Sequence, residues 1–112
     1  MINTNDQYQM INTLPPTSPP VVANARNLRP NWQGDPKFVD IRRPTLWGNP
    51  FRLNSFSRSA AISKFKLYAH NSKIIYENLY YLTGKILVCV CGPQNCHGDI
   101  LVDMFLQVYE AE

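Results

Sequence analysis

The sequence predicts a small single-domain α/β sandwich: a short, mostly parallel sheet with flanking helices. Three observations carry this expectation. The run KILVCVC (Lys85–Cys91) is apolar almost throughout, the pattern of a strand buried on both faces. Helical periodicity both precedes and follows it, and the order strand, strand, helices, strand, helix calls for at least one parallel crossover. The 112 residues are one domain's worth, and 45% of them are hydrophobic, which suffices for a single core.

Taken in order, residues 1–20 read as a disordered Pro-rich tail. Asn, Thr, Gln and Ser dominate, and LPPTSPP favours extended, polyproline-like backbone. The single domain is then residues 21–112. VVANA (Val21–Ala25) is the first strand candidate. RNLRPNWQGDP is a loop punctuated by Pro30, Gly34 and Pro36. KFVDI (Lys37–Ile41) alternates as a short strand does. RRPTLWGNPFRLN is loop again. From Ser57, a good N-cap, Ala61, Ile62, Phe65, Tyr68 and Ala69 recur at helical spacing. NSKIIYENLYYLTG gives a second helix on the stripe Ile75, Leu79, Leu82, with Gly84 as its C′ residue. After the apolar strand and a GPQN turn, HGDILVDMFLQVYE is a last helix, burying Ile100, Leu101, Met104, Phe105 and Val108.

Composition narrows the setting. No apolar run approaches the roughly 18–20 residues a membrane span needs, and the N-terminus has no basic start or apolar h-region. Three cysteines, an odd number, make no disulfide framework, so the expected compartment is a reducing cytoplasm. All eleven Lys and Arg lie between Arg26 and Lys85, and only acids follow. That basic middle suits an anionic partner, a phosphate-bearing small ligand or nucleic acid; a solvated surface is the plainer reading.

VCVCGPQNCHGD (Val88–Asp99) holds every cysteine of the chain. Strand alternation puts Cys89 and Cys91 on one face, at the carboxyl end where open α/β sheets bind ligands. Cys96, His97 and Asp99 fall at the start of the last helix, whose N-terminus stabilises a thiolate. The candidate chemistry is Cys91 or Cys96 as nucleophile, His97 as base and Asp99 as its orienting partner. The alternatives are core cysteines and a His97 that caps the turn through a carbonyl. Zinc on Cys89, Cys91, Cys96 and His97 fits poorly, because zinc sites favour C-x₂₋₄-C spacing, so neither metal nor cofactor is assigned.

A second constellation is DIRRPTLWGNPF (Asp40–Phe51). Arg42 and Arg43 suit a bidentate grip on phosphate. Gly48 permits close backbone approach, Trp47 and Phe51 have the rings to stack on a base, and Asn49 has the amide to read its edge. Against that, both aromatics would also serve to close a small core. Arg26 and Arg29 add a third basic cluster.

Together VVANARNLRP, VDIRRPTLWGNPF and GKILVCVCGPQNCHGDILVDM resemble the bacterial and viral family called domain of unknown function 4326 (DUF4326). The resemblance covers about residues 21–109. Three positions depart from the family pattern: Ala23 and Ala25 flank Asn24, Arg42 stands where a Gly usually precedes Arg43-Pro44, and Val90 stands where an aromatic is common. The closing turn is also similar to domain of unknown function 488, and that second resemblance implies a Rossmann-like scaffold for the sheet and its helices. The resemblance implies a compact α/β domain in which Arg43, Trp47, Gly48, Asn49, Pro50, Cys91, Cys96, His97, Gly98 and Asp99 converge on one pocket. It brings no reaction with it.

The leading expectation is a domain that binds a nucleotide or a nucleic-acid-derived phosphate ligand. Arg43, with Arg26 or Arg42, would hold the phosphate, and the reaction class stays open between hydrolysis and glycosyl transfer. The rivals are a non-catalytic viral module acting on a host protein and a zinc-stabilised nucleic-acid binder. The leading reading requires the Arg43–Asn49 loop and the Cys91–Asp99 turn to share one cleft.

Overall fold

In a computed structural model of the chain, which describes residues 18–90 and 96–109, the apolar run supplies the central strand of a three-stranded sheet. β1 (Val21–Asn24), β2 (Phe38–Asp40) and β3 (Ile86–Cys89) stand in the order β1-β3-β2, and both pairings are parallel. The expected α/β class is therefore the observed one. Leu87 and Val88 are fully buried, because a central strand is covered on both faces.

Register sorts the side chains. Val22 and Val39 both lie opposite Leu87, so the three share a face, and Cys89 and Ile41 continue it. The main core packs there, with Phe65, Ala69, Ile75, Leu79, Leu82, Leu101, Met104 and Phe105 from the helical segments. On the other face Phe38 meets Trp32 edge-on, with ring centroids 5.9 Å apart, and the Arg42 guanidinium lies 5.5 Å from the Trp32 ring. Trp32, in the short 3₁₀ turn Trp32–Gly34, thus covers part of the second face without a helix.

Local chemistry sets the boundaries. β1 stops at Asn24 because its side chain accepts the Arg26 N–H at 2.9 Å and turns the chain into the 3₁₀ turn Ala25–Asn27. Helix α1 (Arg58–His70) starts where the Ser57 hydroxyl accepts the Ala60 N–H, as its sequence promises. The next segment divides. Ser72 caps α2 (Lys73–Asn78), which tightens into a 3₁₀ turn over Leu79–Leu82 rather than continuing as one helix. The Asn78 side chain donates to the Ile74 carbonyl at 2.8 Å and helps end the α-helical ladder. Gly84 then takes φ +69°, the left-handed conformation expected of a residue that closes a helix. Helix α3 (His97–Tyr109) lies on the sheet through Gly98, where a Cβ would come within 2.9 Å of Ile41 and 3.0 Å of Val22.

The N-terminal tail expected over residues 1–20 lies outside the described residues except for its last three. Of these Pro20 is fully buried, and the Ser18 carbonyl accepts the Gly84 N–H. The GPQN turn and Cys91 also lie outside the described residues.

Candidate functional site

Parallel strands deliver their following loops to one edge. β2 and β3 are neighbours, so Arg42 and Arg43 leave the sheet beside Val90 and the start of α3. Between these loops and α1 lies a cavity of about 190 Å³. Arg43 and His97 both line it, as do Cys89 from β3, Arg58, Ala61 and Ile62 from the first turns of α1, and Asn49 and Phe51 from the intervening loop. Leu53 and Val90 stand at its exposed rim. The Arg43 loop and the α3 start therefore do share one cleft.

The wall is built by close backbone packing. A Cβ on Gly48 would fall 2.9 Å from both the Cα and N of Arg43, so only glycine lets the two stretches touch. Arg43 donates through Nη1 to the Asn49 carbonyl at 2.6 Å, which closes the loop on itself. The Asn49 amide ties the loop to α1 by donating to the Ala61 carbonyl at 3.3 Å, and its oxygen accepts the Phe51 N–H at 2.9 Å. Both ends of that amide are used within the chain.

The three lining arginines differ. Arg42 makes a fork onto Asp40, Nε to Oδ1 at 2.8 Å and Nη2 to Oδ2 at 2.9 Å, so its charge is largely offset. The same hydrogen bonding holds the Asp40 carboxyl below the usual carboxylate range. Neither Arg43 nor Arg58 has a carboxylate partner among the described residues. No acidic side chain is among the described lining residues either. Sequence reasoning missed Arg58. The signal was available: an Arg in the first turn of a helix opposes the helix dipole, and no acidic residue accompanies it there.

His97 is 5% exposed and sits at the cavity floor. Its Nε2 lies 2.8 Å from the Ile41 carbonyl, and its ring packs edge-on against Phe65 at 5.0 Å. A carbonyl can only accept, so Nε2 carries the proton and Nδ1 keeps its lone pair. Burial pushes the imidazole below its ordinary value; hydrogen bonding to the backbone of Ile41 and Trp47 and the nearby Cys89 oppose this, and the Arg43 cation adds to it. The ring is thus a neutral peg that pins the β2 loop to α3.

Cys96 is buried beside it. The Gly98 N–H donates to the Cys96 sulfur at 3.3 Å, a cap made by a thiol, and Asp99 N–H donates to the Cys96 carbonyl at 3.0 Å. The Cys96 and Cys89 sulfurs are 2.9 Å apart. Among the described residues no group of three or more His, Cys, Asp or Glu is arranged to hold a metal ion.

Several expected site residues stand elsewhere. Trp47 is buried in the main core and does not line the cavity, so the ring available to a ligand is Phe51. Gly48 and Gly98 serve close packing, against Arg43 and against the sheet. Arg26 is exposed after β1, on the far side of β3 from the cavity, and Asp99 is exposed on α3; neither is among the lining residues. No helix of the described chain is long and apolar enough to cross a membrane.

Residues 24–107 match the family described as domain of unknown function (DUF4326). The chain is also 36% identical over 76 residues to a phage T4 protein described as an uncharacterized 12.4 kDa protein in the nrdA-td intergenic region; the match spans 64% of this chain and 70% of that one. No solved structure matches.

Proposed function

This chain belongs to the DUF4326 family, and we propose that it binds a small phosphate-bearing ligand, derived from a nucleotide, in the cavity at the carboxyl end of its sheet. The observation that carries this reading is the pair Arg43 and Arg58, two cations without carboxylate partners among the described residues, on a cavity whose described lining includes no acid. Uncompensated cations beside a low-dielectric wall favour an anion. The place also fits: Rossmann-like sheets bind ligands in the crevice beyond their strand ends.

Size sets the form of the ligand. At about 190 Å³ the cavity is smaller than the roughly 300–1,000 Å³ of drug-sized sites. It suits a phosphate and a sugar-sized body, with a base left at the mouth against Phe51 and Leu53. Any reaction there would draw on the thiol and neutral imidazole of the floor, and hydrolysis and glycosyl transfer are the two classes to assay. Native mass spectrometry of the purified protein tests the reading. The expected result is a retained phosphate-bearing compound that the Arg43→Ala protein loses. The reading fails if a panel of nucleotides, sugar phosphates and inorganic phosphate leaves the folded wild type unliganded.

A second reading, a module that docks on a host protein, draws on Leu53 and Val90, which are 53% and 44% exposed on the same rim, and on the phage relative. Retention of a protein at that rim, insensitive to Arg43→Ala and lost in Leu53→Asp, would favour it.

A further inference from the structure

The cavity floor carries a second chemistry that ligand binding does not use. Cys89 ends β3, Cys96 precedes α3, and their buried sulfurs lie 2.9 Å apart. A disulfide is ~2.03–2.05 Å long, so bonding asks the two sulfurs to approach by only about 0.9 Å.

The surroundings favour reaction. The Gly98 N–H, in the first turn of α3, points at the Cys96 sulfur and stabilises negative charge on it. His97 Nδ1 lies 3.9 Å from that sulfur with its lone pair unprotonated, because the ring proton is held on Nε2 by the Ile41 carbonyl. Cys89 lines the cavity and Cys96 lies behind it, so a small reagent that enters meets Cys89 first.

We propose that Cys89 and Cys96 are a redox-active dithiol, which a peroxide entering the cavity oxidises to an intramolecular disulfide. The Cys89 sulfur attacks one peroxide oxygen. The O–O bond breaks, and the other oxygen leaves with the bonding pair and takes up the Cys89 proton as water or alcohol. Cys89 is then a sulfenic acid. The Cys96 sulfur, its proton passed to His97 Nδ1, attacks the Cys89 sulfur. The S–O bond breaks, and the departing hydroxide takes the proton from His97 as water. Two thiols give up two electrons and two protons, and the peroxide is reduced by the same amount. The disulfide ties the end of β3 to the start of α3, and an external thiol reverses it. This proposal stands independently of the anion reading, since it uses neither Arg43 nor Arg58.

Wild-type protein is sufficient for the test. No Lys or Arg follows Lys85, so trypsin releases residues 86–112 with all three cysteines on one peptide. Folded protein is treated with hydrogen peroxide and unfolded, and its remaining thiol is blocked with a first alkylating reagent. Reduction and a second reagent then mark the cysteines that had been bonded. Fragmentation of the peptide should place the first label on Cys91 and the second on Cys89 and Cys96, with two of the three thiols lost and no covalent dimer. Treatment with dithiothreitol before labelling should put the first label on all three. The proposal is overturned if the first label lands on Cys89 or Cys96. It is equally overturned if the bond forms between chains, or if all three thiols survive peroxide that oxidises the same peptide free in solution. Loss of ligand binding in Arg43→Ala with the labelling pattern unchanged separates this site from the anion reading.

Discussion

Gly48→Ala strikes the wall that presents Arg43 to the cavity. Its new Cβ would meet Arg43 Cα and N at 2.9 Å and the Arg42 carbonyl carbon at 3.1 Å. All three are main-chain atoms, so no side-chain rotation relieves the clash. Overpacking of this kind costs about 1–3 kcal/mol, and rigid neighbours put this site at the upper end. For a domain of this size each kcal/mol lowers Tm by about 4–8 °C, so a fall of roughly 10–20 °C is expected. Gly98→Ala is the graded comparison. Its Cβ meets Ile41 Cδ1 at 2.9 Å, Val22 Cγ2 at 3.0 Å and the Cys96 sulfur at 3.4 Å, all side-chain atoms that can give. Alanine also regains up to about 1 kcal/mol of helix propensity there, so its net loss is smaller. Gly34→Ala meets nothing within 4 Å and should melt with the wild type. Thermal melts of the three variants give the order. A Gly48→Ala protein that melts with the wild type, or above Gly98→Ala, refutes the close approach of the two loop stretches.

Two further expectations concern the charges around the cavity. His97 is held neutral by burial, below its ordinary value of 6.5. Its contribution to stability is therefore complete above about pH 6.5 and is lost as pH falls below it, because the unfolded chain binds the proton first; the slope from one proton is at most about 1.4 kcal/mol per pH unit. Urea denaturation from pH 7.5 to 5 should show this slope in wild type and a flatter one in His97→Gln; equal slopes would assign the titration elsewhere. Asp40→Asn releases Arg42 from its fork and adds an uncompensated cation to the cavity. A half-exposed pair of this kind is worth about 1 kcal/mol, so phosphate affinity measured by calorimetry should rise by about fivefold; weaker binding would mean that the fork itself positions the site.

Much of this was legible in the residues. The central strand declared itself by the apolar run Ile86–Cys89, Ser57 marked the start of α1, and Gly84 marked a positive-φ closure, since each is a local preference that tertiary contacts reinforced. The sharing of one cavity by Arg43 and His97 followed from parallel topology alone. What sequence left open was which polar group is used up inside the fold. Arg42 looks like Arg43 until Asp40, two residues back, is seen to fork onto it. Trp47 and Phe51 look alike as stacking rings, yet only the packed structure sends Trp47 into the core and Phe51 to the cavity. Gly48 reads as a ligand-contact glycine and turns out to be held by Arg43's own backbone. Arg58 carried a signal, a cation in a helix's first turn with no acid beside it, but only the fold brings it to the same cavity as Arg43, Cys89 and His97.

Calorimetric titration of ribose 5-phosphate tests the central claim most directly, with inorganic phosphate alongside to separate the anion from the sugar. A charge-assisted hydrogen bond to the ligand is worth about 1.5–3 kcal/mol, so Arg43→Ala and Arg58→Ala should each weaken binding by roughly ten- to a hundredfold. Lys73→Ala, whose ammonium is paired with Glu77 on α2 away from the cavity, should bind as the wild type does. Wild-type heat that survives in both arginine variants, or is absent from wild-type protein shown by its melt to be folded, would contradict the account of this cavity as a phosphate site.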